Sequence, residues 1–338
     1  MIVEMQRGVD VQQVDSVVQR AKSLGFQVQL NLGTDKVVIA ILGSNTGQVP
    51  TDTFAVLPGV ESVTRIMKPY KLASREFKSE DSVVNVGKVQ IGGKHVVVMA
   101  GPCAVENEER LMEVAKAVKE AGAAVLRGGA YKPRSSPFSF QGLEEAGLEL
   151  LAKARETFSL PVITEVVDPH DVELVIKSAD ILQVGARNMQ NFALLTEVGK
   201  SQRPVMLKRG FSSTITEWLT AADYLLAEGN NQVILCERGI RTFEDSVRFS
   251  LDISSVPVVK KFSHLPLIVD PSHAAGHYSL VPAIAKAAVA AGADGILIEV
   301  HPNPKEALVD GLQSLTISDF TRLMTELKAI AKSIGRYI

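Results

Sequence analysis

The chain has 338 residues, of which 46% are hydrophobic and 22% charged, a composition that suits one large domain with a small one, or two medium domains. A formal net charge of −2 gives no indication of nucleic-acid binding, and two cysteines are too few for a disulfide framework. No signal peptide is recognisable, and no apolar run reaches the ~18 residues that a membrane helix needs. We therefore expect a soluble, cytoplasmic protein that binds neither nucleic acid nor a membrane.

The first 65 residues have the pattern of a small α+β domain. Apolar residues at helical spacing in VQQVDSVVQRAKSLG predict a helix that stops at Gly25, and TDTFAVLPG predicts a shorter one. Strands are expected at MIVEM, FQVQLNL, KVVIAILG and VESVTRIM. The resulting order βαββαβ is that of a ferredoxin-like fold. The alternative is an N-terminal extension packed on the main domain.

A charged stretch without periodicity, residues 66–82, reads as a linker to a second domain over residues 83–338. That domain opens with a glycine-turn hairpin and then alternates strands with helices. Eight strand candidates are nearly continuous apolar runs, as in parallel strands covered on both faces: HVVVMAG, AVLRGGA, PVITEVV, ILQVGAR, PVMLKRG, VILCERG, LIVDPSH and GILIEVH. Eight units over about 250 residues predict an α/β fold of the (β/α)8 (TIM) barrel type. A doubly wound open sheet is disfavoured because no GxGxxG loop follows the first strand.

Cations collect where the barrel strands end. In such a barrel these carboxyl ends and the loops after them form the active-site face. Charges there need compensation, and a phosphorylated ligand would supply it. The alternative is pairing with acids of the rim such as Glu165 and Glu237. The cations are Arg127, Lys132, Arg134, Arg187, Lys208, Arg209 and Arg238.

These cations outnumber what one phosphate needs, which predicts two phosphorylated substrates. One set could hold a phosphorylated acid, and Arg134 with Ser135, further along the loop after the second strand, could hold a second phosphate. Glycines beside the cations suit a close approach of the backbone to a ligand. The first set comprises Arg127, Lys132, Arg187, Lys208 and Arg238, with backbone N–H groups after the fourth strand.

A thiol, an imidazole and two carboxylates also follow strands that meet when the barrel closes. Cys103 follows strand 1, His273 follows strand 7, Glu299 ends strand 8, and Asp310 lies in the next loop. Such mixed ligands suit one divalent metal ion, and Mn, Fe, Co, Zn and Cu all remain open. The alternative for Cys103 is a small buried hydrophobe, as we expect for Cys236. His277 and His301 are expected to support the site or lie at the surface.

Seven segments together resemble the 3-deoxy-D-arabino-heptulosonate 7-phosphate synthase family, most closely its type I beta branch. They are AGPCAVE, RGGAYKPRSSPFSFQGL, QVGARNMQN, LKRG, ERGIRTF, DPSHAAGH and IEVHPNPKEALVDG. The resemblance covers residues 83–338. The sister family, 3-deoxy-D-manno-octulosonate 8-phosphate synthase, has Lys-Ala-Asn-Arg-Ser-Ser where this chain has KPRSS, so the proline after Lys132 favours the heptulosonate branch.

The resemblance implies a metal-dependent condensation of phosphoenolpyruvate with erythrose 4-phosphate. Lys132, placed to touch both substrates, is expected to donate a proton to the new alkoxide, and Glu165 is expected to orient a water. A ferredoxin-like module would bind an inhibitory aromatic amino acid (tyrosine, phenylalanine or both) in a homotetramer. The implied contacts are Cys103, His273, Glu299 and Asp310 for the metal; Arg127, Lys132, Ala186, Arg187, Lys208 and Arg238 for phosphoenolpyruvate; and Arg134 and Ser135 for the aldose phosphate.

Three other functions remain open at this point. Octulosonate phosphate synthesis is the nearest, since it is the same chemistry on a five-carbon aldose phosphate. A non-catalytic anion sensor on a barrel would have no need of the metal-ligand set. Metal-dependent aldol cleavage of a sugar phosphate would have no use for so many cations at the strand ends.

Overall fold

The structure is a computed structural model that describes residues 1–33, 36–66, 68–133 and 136–338. The chain divides into two compact units, Met1–Glu80 with Phe262–His264, and Asp81–Lys261 with Leu265–Ile338. Most of the stretch expected to be a linker thus belongs to the first unit, and its side chains Tyr70, Leu72 and Phe77 are buried.

The first unit is built on a four-stranded antiparallel sheet in the order β2-β3-β1-β4. This is the ferredoxin-like arrangement that the sequence predicts. Its core gathers side chains such as Val3, Ile39 and Phe54. The elements are β1 (Ile2–Met5), α1 (Val11–Ser23), β2 (Gln27–Leu32), β3 (Val37–Leu42), α2 (Asp52–Ala55) and β4 (Val60–Thr64).

Helix α1 shows how the local sequence sets these elements. Asp10 accepts a hydrogen bond from the Gln13 backbone at 2.8 Å, and the Gln13 side chain accepts one from the Asp10 backbone at 3.1 Å. This capping box satisfies N–H groups that the first helical turn leaves without partners. Val17 and Ala21, one turn apart, then pack into the core of the unit.

The second unit is a closed barrel of eight parallel strands, as predicted, and closure excludes the doubly wound open sheet. The last barrel strand pairs with the first, with Glu299 opposite Gly101. The hairpin β5 (Val84–Val86) and β6 (Val89–Ile91) precedes the barrel. The barrel strands are β7 (Val97–Gly101), β8 (Val125–Arg127), β9 (Val162–Val166), β10 (Ile181–Val184), β11 (Val205–Lys208), β12 (Val233–Glu237), β13 (Leu267–Val269) and β14 (Gly295–Glu299).

Helices alternate with these strands along the chain. None of the helices in the described ranges is long and apolar enough to cross a membrane. They are α3 (Glu108–Ala121), α4 (Glu144–Phe158), α5 (Val172–Ser178), α6 (Phe192–Lys200), α7 (Ile215–Ala227), α8 (Ser255–Phe262), α9 (Pro271–Ala275), α10 (Val281–Ala290) and α11 (Ile317–Ser333).

The barrel interior is an apolar core. Met99, Met206 and Leu297 from different strands pack in one cluster, and Val84 of the hairpin joins it. Cys236 is fully buried in the same cluster, which agrees with its expected packing role. A barrel filled in this way leaves the ends of the strands as the place for chemistry.

Candidate active site

A cavity of about 250 Å³ lies at the carboxyl ends of the barrel strands. Its lining residues come from strands β8 to β11 and from the segments that follow β8, β10, β11, β12, β13 and β14. Two further residues expected at the site, Arg134 and Ser135, lie outside the described residues. The predicted site residues that line the cavity are Arg127, Lys132, Glu165, Ala186, Arg187, Lys208, Arg238, His273 and Asp310.

Four ligand-type side chains, which we call the donor cluster, converge beside this cavity: Cys103, His273, Glu299 and Asp310. One donor atom from each lies within 4.8 Å of all the others. Strand pairing explains the convergence, because β14 lies between β13 and β7 and so joins segments about 200 residues apart in the chain. The donor set of one sulfur, one nitrogen and two carboxylates fits a divalent transition metal.

Burial and neighbouring charges set the protonation of the donor cluster. Burial raises the pKa of the Cys103 thiol to about 12, and its Sγ lies 3.5 Å from Asp310 Oδ2. Burial also lowers the pKa of His273 to about 4, which leaves a neutral ring at physiological pH. Burial opposes ionisation of Glu299, yet the charges around it, Arg127 among them, hold its pKa far below the usual range. The cluster thus offers a neutral imidazole and an ionised carboxylate, the forms in which these groups bind metals.

Some rim cations are already balanced by acids. Arg127 Nη1 lies 2.5 Å from Glu299 Oε1, and Lys208 Nζ lies 2.6 Å from Asp270 Oδ2. Asp270 Oδ2 also lies 2.7 Å from His273 Nδ1, a close polar contact whose geometry is not that of a hydrogen bond. Arg127 thus contacts the donor cluster directly, whereas Lys208 reaches it through Asp270.

Arg209 pairs with acidic side chains of the protein, as the alternative interpretation of the rim cations expects. Its Nη1 lies 2.9 Å from Glu237 Oε2 and 2.8 Å from Asp252 Oδ2, and its guanidinium lies over the Trp218 ring. Its neighbour Lys208 lines the cavity instead, because successive side chains along a strand point to opposite sides.

Two arginines, which we call the arginine wall, face the cavity with aromatic support: Arg187 and Arg238. Arg238 is only 4% exposed, and its Nη1 has no hydrogen-bond partner among the described residues. Its guanidinium lies 4.8 Å from the Phe211 ring centre and 4.3 Å from that of Phe249, and Arg187 lies over Phe211 at 5.4 Å. Burial lowers the pKa of Arg238 to about 10. A buried cationic donor without a partner is unfavourable, and a bound anion would satisfy it.

Lys132 joins the two parts of the site. Its Nζ donates to the Cys103 carbonyl at 3.0 Å and lies 3.2 Å from Cys103 Sγ, and its side chain lines the cavity. On another wall, Glu165 accepts a hydrogen bond from Gln183 Nε2 at 3.0 Å. Gly185 makes room for this carboxylate, since a Cβ at that position would overlap with it.

The sequence interpretation missed residues whose roles depend on tertiary contacts. Arg248 lines the cavity and lies 3.3 Å from Asp310 Oδ2, and Gln313 donates to Glu299 Oε2 at 2.6 Å. The sequence carried one signal for each residue. Arg248 is a further arginine in the long loop after β12, and Gln313 is an amide three residues after the candidate ligand Asp310. His301, for which the sequence left open a supporting role or a surface position, is buried with its Nε2 3.3 Å from Glu106 Oε2.

Known proteins are similar to this chain in sequence and in fold. The family model described as "DAHP synthetase I family" matches residues 71–334, and the one described as "DAHP synthase ferredoxin-like domain" matches residues 1–68. A phospho-2-dehydro-3-deoxyheptonate aldolase from Thermotoga maritima is 49% identical over 335 residues, which cover 99% of each chain. A crystal structure of the T. maritima protein superposes with a TM-score of 0.80 at 48% identity, over 99% of this chain and 98% of the other. A 2-dehydro-3-deoxyphosphooctonate aldolase from Geobacter sulfurreducens is 33% identical over 269 residues, 73% of this chain and 97% of that protein.

Proposed function

The chain belongs to the DAHP synthetase I family, and on that premise we propose how its residues divide the work of the reaction. The enzyme condenses phosphoenolpyruvate with D-erythrose 4-phosphate to form 3-deoxy-D-arabino-heptulosonate 7-phosphate and inorganic phosphate. This is the first step of the shikimate pathway, which leads to the aromatic amino acids.

The cations of the cavity bind phosphoenolpyruvate in this proposal. The observation that carries it is the buried guanidinium of Arg238, whose Nη1 has no partner in the described parts of the chain. A phosphate or carboxylate would satisfy this donor with charge-assisted hydrogen bonds. The contacts are Arg127, Lys132, Arg187, Lys208 and Arg238, with the backbone around Ala186.

The donor cluster holds one divalent metal ion, which is Mn, Fe, Co, Zn or Cu. The fit rests on the donor set itself, since four donor atoms of suitable type lie within 4.8 Å of one another and Arg127 balances the buried Glu299. When bound, the ion supplies Lewis acidity toward the aldehyde oxygen of the aldose phosphate. Cys103 would give up its thiol proton on binding the ion, so that binding releases protons.

Lys132 acts as the proton donor of the condensation. C3 of the enol attacks the aldehyde carbon, and the aldehyde oxygen becomes a hydroxyl that needs one proton. The Lys132 ammonium lines the cavity and is held 3.0 Å from the Cys103 carbonyl, where it borders both the donor cluster and the anion contacts. A positioned ammonium of this kind gives general acid catalysis.

Glu165 orients the water that completes the reaction. Carbon–carbon bond formation leaves positive charge at C2, water adds there, and phosphate then leaves with cleavage of its C–O bond. The Glu165 carboxylate lines the cavity, and Gln183 holds one of its oxygens, so its other oxygen can accept from a water. Arg134 and Ser135 bind the phosphate of the second substrate, erythrose 4-phosphate.

The ferredoxin-like unit regulates the barrel in this proposal. It binds tyrosine, phenylalanine or both and lowers the rate of the reaction, in a homotetramer located in the cytoplasm. The family match over residues 1–68 supports an effector site in this part of the chain.

A phosphate-release assay tests the whole proposal. Phosphoenolpyruvate is supplied with either erythrose 4-phosphate or arabinose 5-phosphate, with and without tyrosine or phenylalanine. We expect faster release with the four-carbon aldose, inhibition by an aromatic amino acid, loss of activity in excess chelator and recovery with added divalent metal. Faster release with the five-carbon aldose would favour octulosonate phosphate synthesis, the activity named for the Geobacter relative.

A further inference from the structure

The two oxygens of the Glu299 carboxylate have separate partners. Oε1 lies 2.5 Å from Arg127 Nη1 and 3.4 Å from His273 Nε2, whereas Oε2 accepts a hydrogen bond from Gln313 Nε2 at 2.6 Å. Glu299 is fully buried, so its orientation depends on these protein contacts. Without the amide, Oε2 would be a buried charged acceptor that lacks its donor.

The Gln313 side chain is 2% exposed, and both ends of its amide are used. Its Nε2 faces Glu299, and its Oε1 accepts from Arg248 Nη1 at 2.6 Å. Chemistry fixes which way the amide points, because an ionised carboxylate only accepts and a guanidinium only donates. The amide therefore connects a cavity-lining arginine to a buried carboxylate of the donor cluster.

Arg248 also contacts a second carboxylate of the donor cluster, that of Asp310. The same Nη1 lies 3.3 Å from Asp310 Oδ2, the oxygen that is 3.5 Å from Cys103 Sγ. Asp310 has a left-handed backbone conformation, with φ of +53°, which is uncommon for a residue other than glycine. Its side chain is 22% exposed, so contacts such as that with Arg248 limit where it can turn.

We propose that Gln313 is a positioning residue for the metal site and that Arg248 acts with it. Together they orient Glu299 and Asp310, so that both carboxylates face the thiol of Cys103 and the ring of His273. The inference rests on the proposed function, in which these four residues bind a divalent ion. Support of this kind, by residues that hydrogen-bond to metal ligands, is typically worth roughly 10- to 100-fold in metal affinity.

The test is cobalt binding by the metal-stripped full-length protein. Co²⁺ is titrated into the parent and into Gln313→Met, which keeps the length of the side chain and removes the amide. Absorbance of the thiolate-to-cobalt band gives Kd without reference to activity. We expect Gln313→Met to bind Co²⁺ roughly 10- to 100-fold more weakly than the parent.

A matched control is Gln232→Met, which removes an amide at the opposite end of the barrel, where Gln232 Nε2 donates to the Gln202 carbonyl. We expect the Kd of this variant to equal that of the parent. Arg248→Met changes a side chain that is 36% exposed, so it tests the same connection with little risk to folding. We expect a smaller rise in Kd for Arg248→Met than for Gln313→Met, because Gln313 would still contact Glu299.

The outcomes separate the two proposals. If the parent binds Co²⁺ and both Gln313→Met and Arg248→Met bind it equally tightly, the positioning role is wrong while the metal site stands. If Gln313→Met does not fold, an unchanged Kd in Arg248→Met overturns the inference. If the parent itself binds no Co²⁺, the metal site of the proposed function is overturned.

Discussion

The donor cluster and the arginine wall border one cavity, yet the protein balances their charges differently. Glu299 is bonded by Arg127 and Gln313, and Asp310 lies beside Arg248, so the carboxylates of the cluster have partners before any ligand arrives. Arg238 in the wall is also buried, but its Nη1 has no partner among the described residues. The cluster is preorganised by the protein, whereas the wall is left for the substrate to neutralise. Substitutions in the cluster should therefore change metal binding and catalysis, and substitutions in the wall should change substrate KM.

The largest effect is expected for Cys103→Ala. Loss of a metal ligand should remove Lewis acidity worth about 4 kcal/mol, a fall in kcat on the order of 1000-fold. Steady-state kinetics together with metal analysis of the purified protein measure both effects. The control is Cys236→Ala, which removes an equally buried thiol from the barrel core and should cost about 1 kcal/mol of stability with kcat retained. Equal kcat values in the two variants would contradict the role given to Cys103.

The variant Lys208→Met tests a cavity cation that is already paired, and the quantity measured is the free energy of unfolding. Burial opposes ionisation of Asp270, but His273 and Lys208 hold its pKa well below the usual range. Breaking the buried pair should lower the free energy of unfolding by about 3 kcal/mol at pH 7. A carboxylate whose pKa is lowered in the folded state stabilises the protein at pH values above its unfolded pKa of ~4. This contribution is lost as the pH falls from that value toward the folded pKa.

The difference between Lys208→Met and the parent should therefore shrink between pH 7 and pH 3, which urea unfolding at the two pH values measures. Lys200→Met breaks an exposed pair with Glu197 and should change stability little at either pH. A difference for Lys208→Met that grows toward pH 3 would be inconsistent with the pairing.

Arg238→Ala tests the arginine wall directly. A charge-assisted hydrogen bond worth about 1.5–3 kcal/mol corresponds to a rise in the KM of phosphoenolpyruvate of roughly 10- to 100-fold. Any loss of stability should be limited to the contacts with the Phe211 and Phe249 rings, because Nη1 has no hydrogen-bond partner in the described part of the chain. Initial-rate kinetics and thermal melting test the two halves of this prediction. A large loss of stability with an unchanged KM would place Arg238 among the structural cations, as Arg209 is.

The smallest effect is expected for Arg134→Ala. We expect about a tenfold rise in the KM of erythrose 4-phosphate from the loss of one phosphate contact, and a smaller change in that of phosphoenolpyruvate. Varying each substrate in turn measures both constants. The opposite pattern would mean that the two anion sites have been assigned the wrong way round.

The sequence was sufficient for the fold because its strand signals are strong. Eight apolar runs with helices between them predict a barrel, and barrel closure then brings Cys103 and Glu299 together. The alternation of side chains along a strand could also have separated Lys208 from Arg209, although the sequence interpretation treated both as rim cations.

Arg248 and Gln313 could not be predicted in the same way. Arg248 lies in the 17-residue segment between β12 and α8, where no periodicity assigns a direction to its side chain. Gln313 ends a short turn after Asp310 and reads as an ordinary polar loop residue. Their roles depend on contacts between segments 65 residues apart, which only the folded chain provides.

The most direct test of the central claim, that barrel closure assembles a single metal site, is anomalous diffraction from crystals of the full-length protein grown with Co²⁺. The structure predicts one strong peak within roughly 2.0–2.5 Å of Cys103 Sγ, a His273 ring nitrogen and carboxylate oxygens of Glu299 and Asp310. A peak bound by other residues, with the sulfur of Cys103 left without metal, would contradict the claim.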